Sequence, residues 1–201
     1  MQNNVNFKKA AKKAVKDLVL EIKEQQSKIG IFSTSANPQE LSDSIPPHFT
    51  NMLMWAHYGD SFKGFAICFD SDLFYNSLQE INQDKKIAYS KVDYVDAPVD
   101  LEKAFDGDLR QASSNMLKSL QYKHQSWGYE CEYRYLSNSI GLHSYSPESV
   151  KCIFLGEKMP PEQKILIKRI ADSISESIKV YDLSIVRNST KFEIQRSICE
   201  G

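Results

Sequence analysis

Residues 150–156, "VKCIFLG", form a nearly continuous apolar run that ends on a glycine. A run this short stays apolar on both sides only where neighbours cover both faces, so it reads as a central strand. Pro160-Pro161 follows and opens a helix carrying Ile165, Leu166, Ile170, Ile174 and Ile178, proline being suited to the first helical turn. "KVYDLSIV" and "KFEIQRS", separated by "RNST", then resemble a terminal hairpin.

The rest of the chain supplies the layers such a strand needs. Ala11, Val15, Leu18 and Ile22 recur at helical spacing, Lys8, Lys12 and Lys16 fall on another face, and Gly30 ends the pattern. Residues 1–30 are therefore expected to hold an N-terminal amphipathic helix, ahead of a single α+β domain over 31–201. "GIFST" reads as a short strand, and a polar loop runs on through Pro46-Pro47. Thr50 or Asn51 caps a short helix from Met52, whose face carries Leu53, Met54, His57 and Tyr58, with Gly59 as its stop. In "GFAICFD", large Phe65, Ile67 and Phe69 alternate with small Gly64, Ala66 and Cys68, as in a strand with one face on the core and the other closely approached. "KIAYSKVDYV" is a further strand, Leu101, Phe105, Leu109, Ala112, Met116 and Leu120 define a helix, and "WGYECEYRYLS" reads as a strand. The pattern predicts an α+β fold: one mixed or mostly antiparallel sheet with about four helices packed on it.

Composition narrows the function classes. At 201 residues with 41% hydrophobic and 25% charged content, the chain can fold without staples, and a net charge of -1 exerts no global pull on nucleic acid or anionic membrane. The first helix has seven lysines against three acidic residues up to Lys28, which reads as a solvated face before a phosphate contact. Cys68, Cys131, Cys152 and Cys199 are widely spaced with no C-x-x-C, the pattern of reduced thiols in a cytoplasmic protein rather than of a disulfide frame or zinc site. No signal-peptide core and no membrane span of about 20 apolar residues is present. His48, His57, His124 and His143 show no metal-ligand spacing, and no phosphate-binding glycine loop or nucleophile elbow occurs, so no metal site is expected.

Two stretches carry candidate chemistry. Read as a strand, residues 127–136 put Tyr129, Cys131, Tyr133 and Tyr135 on one face and Glu130, Glu132 and Arg134 on the other. A second carboxylate raises a glutamate's pKa and an arginine lowers it, so this row can pair one general base with one structural anion. It can equally grip a ribose hydroxyl, ligate a metal, or lie as a solvated face with glutamate and arginine paired. The second stretch, "NMLMWAHYGDSFKGFAICFD", crowds Trp55, His57, Tyr58, Asp60 and Lys63 between apolar runs. There, Trp55 as core and His57 as a structural histidine stand against stacking and catalytic roles.

Together, "LMWAHYGDSFKGFAICFD", "VDYV", "KHQSWGYECEYR" and "VKCIFLG" resemble the bacterial domain-of-unknown-function family 2971, in its order and spacing, from about Ile31 to about Arg196. The family's signature positions fall on Trp55, His57, Tyr58, Lys63, Gly64, Phe69 and Asp70, then on Trp127, Glu130, Glu132 and Arg134. Members usually begin with an aromatic and basic strand, a helix, a second strand and an Asn-Asp-Pro turn. This chain starts at a later helix, and its "SANPQ" is not that turn. The resemblance thus implies a shortened member, a late start site, or a protein partner that supplies the segment.

The family's layout looks like that of ADP-ribosyltransferase-type folds. That likeness implies a nucleotide- or NAD-binding protein of a stress, toxin or phage-defence system, with NAD as substrate rather than resident cofactor. Glu130, Glu132 and His57 are then the catalytic candidates, and Trp55, Tyr58, Lys63, Trp127 and Arg134 the ligand-binding ones. His57, Tyr58 and Lys63 are expected beside the Glu130/Glu132/Arg134 row, with Trp55 packed beneath. The alternatives are a non-catalytic ligand- or partner-binding module and a metal-dependent phosphodiesterase or nuclease using Glu130, Glu132 and Asp70. No membrane partner is expected.

Overall fold

The period of two along β7 (Val150–Leu155) organises the larger part of the structure, a computed structural model that describes residues 13, 17, 20, 21, 23–36, 47–97, 118–187 and 193–199. Ile153 and Leu155 enter one apolar cluster with Met159, Ala171, Ile178 and Val180. Cys152 and Phe154 enter another with Trp55, Phe62, Leu183 and Ile194. The strand is covered on both faces, as its unbroken apolar run requires. It lies inside a four-stranded mixed sheet, β2-β7-β8-β9, built with β2 (Phe65–Phe69), β8 (Lys179–Val186) and β9 (Glu193–Ile198). β7 runs antiparallel to β2 and parallel to β8, and β8 pairs antiparallel with β9 as the expected hairpin.

By their contacts the residues form two compact units, Met1–Thr34 with Lys85–Leu142 and Ser35–Asp84 with His143–Gly201. The four-stranded sheet belongs to the second, with α1 (Met52–His57), α2 (Ser71–Ile81) and α3 (Pro161–Ile174). Asn51 caps α1 through its side chain, and Asp70 caps α2. Gly156 is required at the end of β7, because a Cβ there would stand 2.1 Å from the Phe62 carbonyl oxygen. In β2 the small residues Ala66 and Cys68 pack on the core, while Phe65 and Ile67 are largely exposed. The α3 side chains Ile165, Leu166, Ile170 and Ile174 are also exposed, and Ala171 and Ile167 make the inward contact. Ile178 is buried, but in the turn after the helix.

The first unit contains a three-stranded sheet, β1-β6-β3, from β1 (Gly30–Ser35), β3 (Ile87–Lys91) and β6 (Glu132–Ser137). A short parallel pair joins β4 (Asp93–Val95) to β5 (Tyr122–His124). The single strand expected over 86–95 is thus split at Val92, which is buried and donates its N–H to the Glu132 carbonyl at 2.9 Å. The α+β class is borne out, the strands among the described residues being distributed over three sheets. The basic face of the N-terminal helix, the "SANPQ" turn beyond Ala36, and all but the end of the helix expected over 101–120 lie outside the described residues. Among the described residues no helix is long and apolar enough to cross a membrane.

Candidate functional site

The residues expected to form one strand over 127–136 instead change conformation in the middle. Gln125–Glu130 is a 3-10 helix, Cys131 adopts a left-handed backbone (φ 44°), and β6 begins at Glu132. The kink replaces simple strand alternation, yet Glu130 and Glu132 still converge on one cation. Both accept from the Lys123 ammonium, Glu132 at 3.1 Å and Glu130 closer. Glu132 also receives Arg134 through both oxygens, Nε to Oε1 at 2.8 Å and Nη2 to Oε2 at 3.2 Å. The other Arg134 terminal nitrogen donates to the Leu120 carbonyl.

This row is not a solvated face. Glu130 is 2% exposed and Glu132 5%, so the two carboxylates are inside the unit and their charges must be matched. Lys123 and Arg134 supply the matching charges. Burial alone would raise the Glu132 pKa, but hydrogen bonds from Arg134, Ser33 and Lys123 outweigh it and hold the carboxyl down at about 2. Burial likewise acts to lower the Lys123 pKa, and Glu130 and Glu132 overcome it and raise the value. The Glu132 backbone N–H donates to the Tyr94 hydroxyl at 2.8 Å. Burial, and then the neighbouring Glu130 and Glu132 charges, raise the pKa of that phenol and keep it protonated. Trp127 is 37% exposed, with the Lys123 ammonium 5.0 Å from its ring. Lys123, Tyr94 and Ser33 join this set from outside the sequence candidates. Their signal was charge parity, since two buried glutamates need more than the one arginine.

The second stretch has a different character. Trp55 is 3% exposed, stacks on Phe62 at 5.2 Å, and donates its indole N–H to the Phe49 carbonyl at 2.7 Å. It is core rather than a ligand platform. His57, Tyr58 and Lys63 are exposed, the His57 ring meeting Tyr58 edge-on at 6.5 Å. These residues belong to the second unit, and the Glu130, Glu132, Arg134 and Trp127 group to the first. Asp70, proposed as a metal ligand, has one oxygen capping α2 and the other 3.1 Å from Lys151. Among the described residues no group of three or more His, Cys, Asp or Glu is placed to hold a metal.

Residues 54–135 match the model of the DUF2971 family, a protein of unknown function. The family resemblance is borne out over that segment. The DUF2971 match is shorter than the 31–196 span expected from sequence, but it contains every signature position from Trp55 to Arg134. It runs from α1 in the second unit to β6 in the first. No curated protein and no solved structure matches the chain.

Proposed function

We propose that the buried carboxylate pair is the working centre of a nucleotide- or NAD-binding protein of the ADP-ribosyltransferase type, serving a stress, toxin or phage-defence system. The observation that carries this reading is the unequal treatment of the two glutamates: Arg134 grips both oxygens of Glu132, which makes it an anchoring anion, while Glu130 meets Lys123 beside the exposed Trp127 ring. In that division Glu130, 2% exposed and paired with Lys123 at rest, turns outward to accept a hydrogen bond from a ribose hydroxyl and stabilises the positive charge that develops as nicotinamide leaves. Trp127 offers a ring for stacking, and Glu132 with Arg134 keeps Lys123 and the strand start in position.

A second reading rests on the pairing of both carboxylates with the same ammonium. Two anions and two cations form a neutral set, which suits a non-catalytic ligand- or partner-binding module as well as an enzyme. One experiment separates the two. Pure protein is incubated with NAD, and nicotinamide release and thermal shift are followed for the parent, Glu130→Gln and Glu132→Gln. The enzyme reading expects release that falls at least about a hundredfold in a folded Glu130→Gln protein. A thermal shift without release supports the binding module. Neither shift nor release, from protein that melts cooperatively, rejects NAD for both readings.

A further inference from the structure

Two of the four cysteines face each other. Cys68 of β2 and Cys152 of β7 are directly opposed in the antiparallel register. Opposed residues in such a pair have Cα atoms about 4.5–5.5 Å apart and side chains on the same side of the sheet. A disulfide spans Cα separations of about 4.4–6.8 Å, so the two thiols can be joined without moving the strands apart. The two thiols lie close enough to share a hydrogen bond. Cys152 is 2% exposed and packed with Phe154, whereas Cys68 is only partly covered.

The register is irregular at this point. Cys68 opposes Cys152 but Phe69 opposes Val150, which makes Lys151 the extra residue of a bulge. Its ammonium lies 3.1 Å from Asp70. The hydrogen bond from Cys152 lowers the Cys68 pKa, burial opposes it, the Lys151 charge lowers it further and Asp70 raises it. Cys152 is shifted the other way, by its bond to Cys68 and by burial. The partly covered thiol is thus shifted toward ionisation and the buried one away from it.

We propose that Cys68 and Cys152 form a cross-strand dithiol oxidised by hydroperoxides, Cys68 being the reacting thiol and Cys152 the resolving one. The Cys68 thiolate attacks the terminal peroxide oxygen, an S–O bond forms as the O–O bond breaks, and the leaving alkoxide or hydroxide takes a proton. The Cys152 sulfur then attacks the sulfenic acid. The S–S bond forms, the S–O bond breaks, and the departing hydroxide combines with the Cys152 proton as water. Overall the two thiols lose two electrons and two protons, and the hydroperoxide becomes an alcohol or water plus one further water. The link ties β2 to β7 at both ends of the chain segment that contains Lys85–Leu142. The oxidised protein is accordingly more resistant to unfolding.

The test uses the full chain, fully reduced, exposed to hydrogen peroxide and alkylated, followed by non-reducing peptide mapping. The expected result is a Cys68–Cys152 linked peptide, a Tm raised by several degrees, and reversal of both by dithiothreitol. Cys152→Ser should stop at a sulfenic acid on Cys68 that dimedone traps, and Cys68→Ser should leave Cys152 reduced. A Cys131→Ser, Cys199→Ser double variant should oxidise as the parent does, since neither cysteine has a place in the pair. The proposal is overturned if Cys68 and Cys152 remain separately alkylated, or if peroxide links either of them to Cys131 or Cys199.

Discussion

Two polar-rich stretches within the DUF2971 match, 54–70 and 122–134, have similar sequence character and opposite interiors. In the first, the aromatic residues Trp55 and Phe62 go in and His57, Tyr58 and Lys63 stay out. In the second, two glutamates go in and Trp127 stays partly out. The difference shows that polar density in a sequence does not by itself mark an exposed site. What decides the outcome is whether each charge finds its counter-charge within reach, as Glu130 and Glu132 do in Lys123 and Arg134.

The strongest way to break this contrast is a matched pair of truncations. Lys123→Ala leaves two buried carboxylates against one guanidinium, which should cost about 3–5 kcal/mol in urea unfolding. Trp55→Ala opens a cavity in the aromatic cluster and should cost a similar amount, about 3–5 kcal/mol. The causes separate on mild acidification. One of the two carboxyls in Lys123→Ala can take up a proton and relieve the repulsion, so its deficit relative to the parent shrinks, while the Trp55→Ala deficit stays constant. Equal pH responses from both variants would refute the assignment of an electrostatic interior to the first unit.

A smaller effect comes from acid titration of the intact network. The Glu132 carboxyl is held at about 2, below the ordinary glutamate value of about 4.3. A depressed carboxylate pKa contributes stability that is fully present above the unfolded value and is lost as pH falls through the folded one. The stability gap between the parent and Glu132→Gln should therefore be widest above about pH 4.3 and narrow steadily toward about pH 2. A gap that does not change over this window would mean that Glu132 is not held ionised by Arg134 and Lys123.

These elements differ in how far they could be read from sequence. β7, α1 and the terminal hairpin were legible because each has one local cause: an apolar run, a capping Asn51, or two strand patterns either side of a polar turn. α2 is not legible in the same way although Asp70 and Asp72 precede Leu73, Phe74 and Leu78, because an Asp-Ser-Asp run ends a strand as readily as it caps a helix. The glutamate row was legible as a group but not as a geometry. An E-x-E spacing fits strand alternation, and it fits a 3-10 turn followed by a left-handed residue equally well, which only Cys131 reveals. Lys123 is hard to find from sequence because its bonds reach seven and nine residues along the chain, further than side chains that touch within one helix or strand.

The smallest effect sharpens the comparison at the backbone. Both stretches contain left-handed residues that are not glycine: Asp60, Ser61 and Phe62 in the first, and Cys131 in the second. For residues with a Cβ this conformation costs about 1–2 kcal/mol each, because the Cβ crowds the following carbonyl. Ser61 is exposed, with φ 53° and ψ 44°. Ser61→Gly should therefore stabilise the protein by about 0.5–1 kcal/mol, the relief of strain exceeding the added freedom of the unfolded chain. Ser61→Val should destabilise it, because a β-branched side chain tolerates positive φ least. Cys131→Gly removes the same crowding, but its thiol also contacts the Gly128 carbonyl at 3.6 Å and its turn holds Glu130 against Lys123. It should therefore gain less than Ser61→Gly. An equal gain at the two positions, by urea unfolding, would show that the kink before β6 is set by backbone preference alone and owes nothing to the ion network.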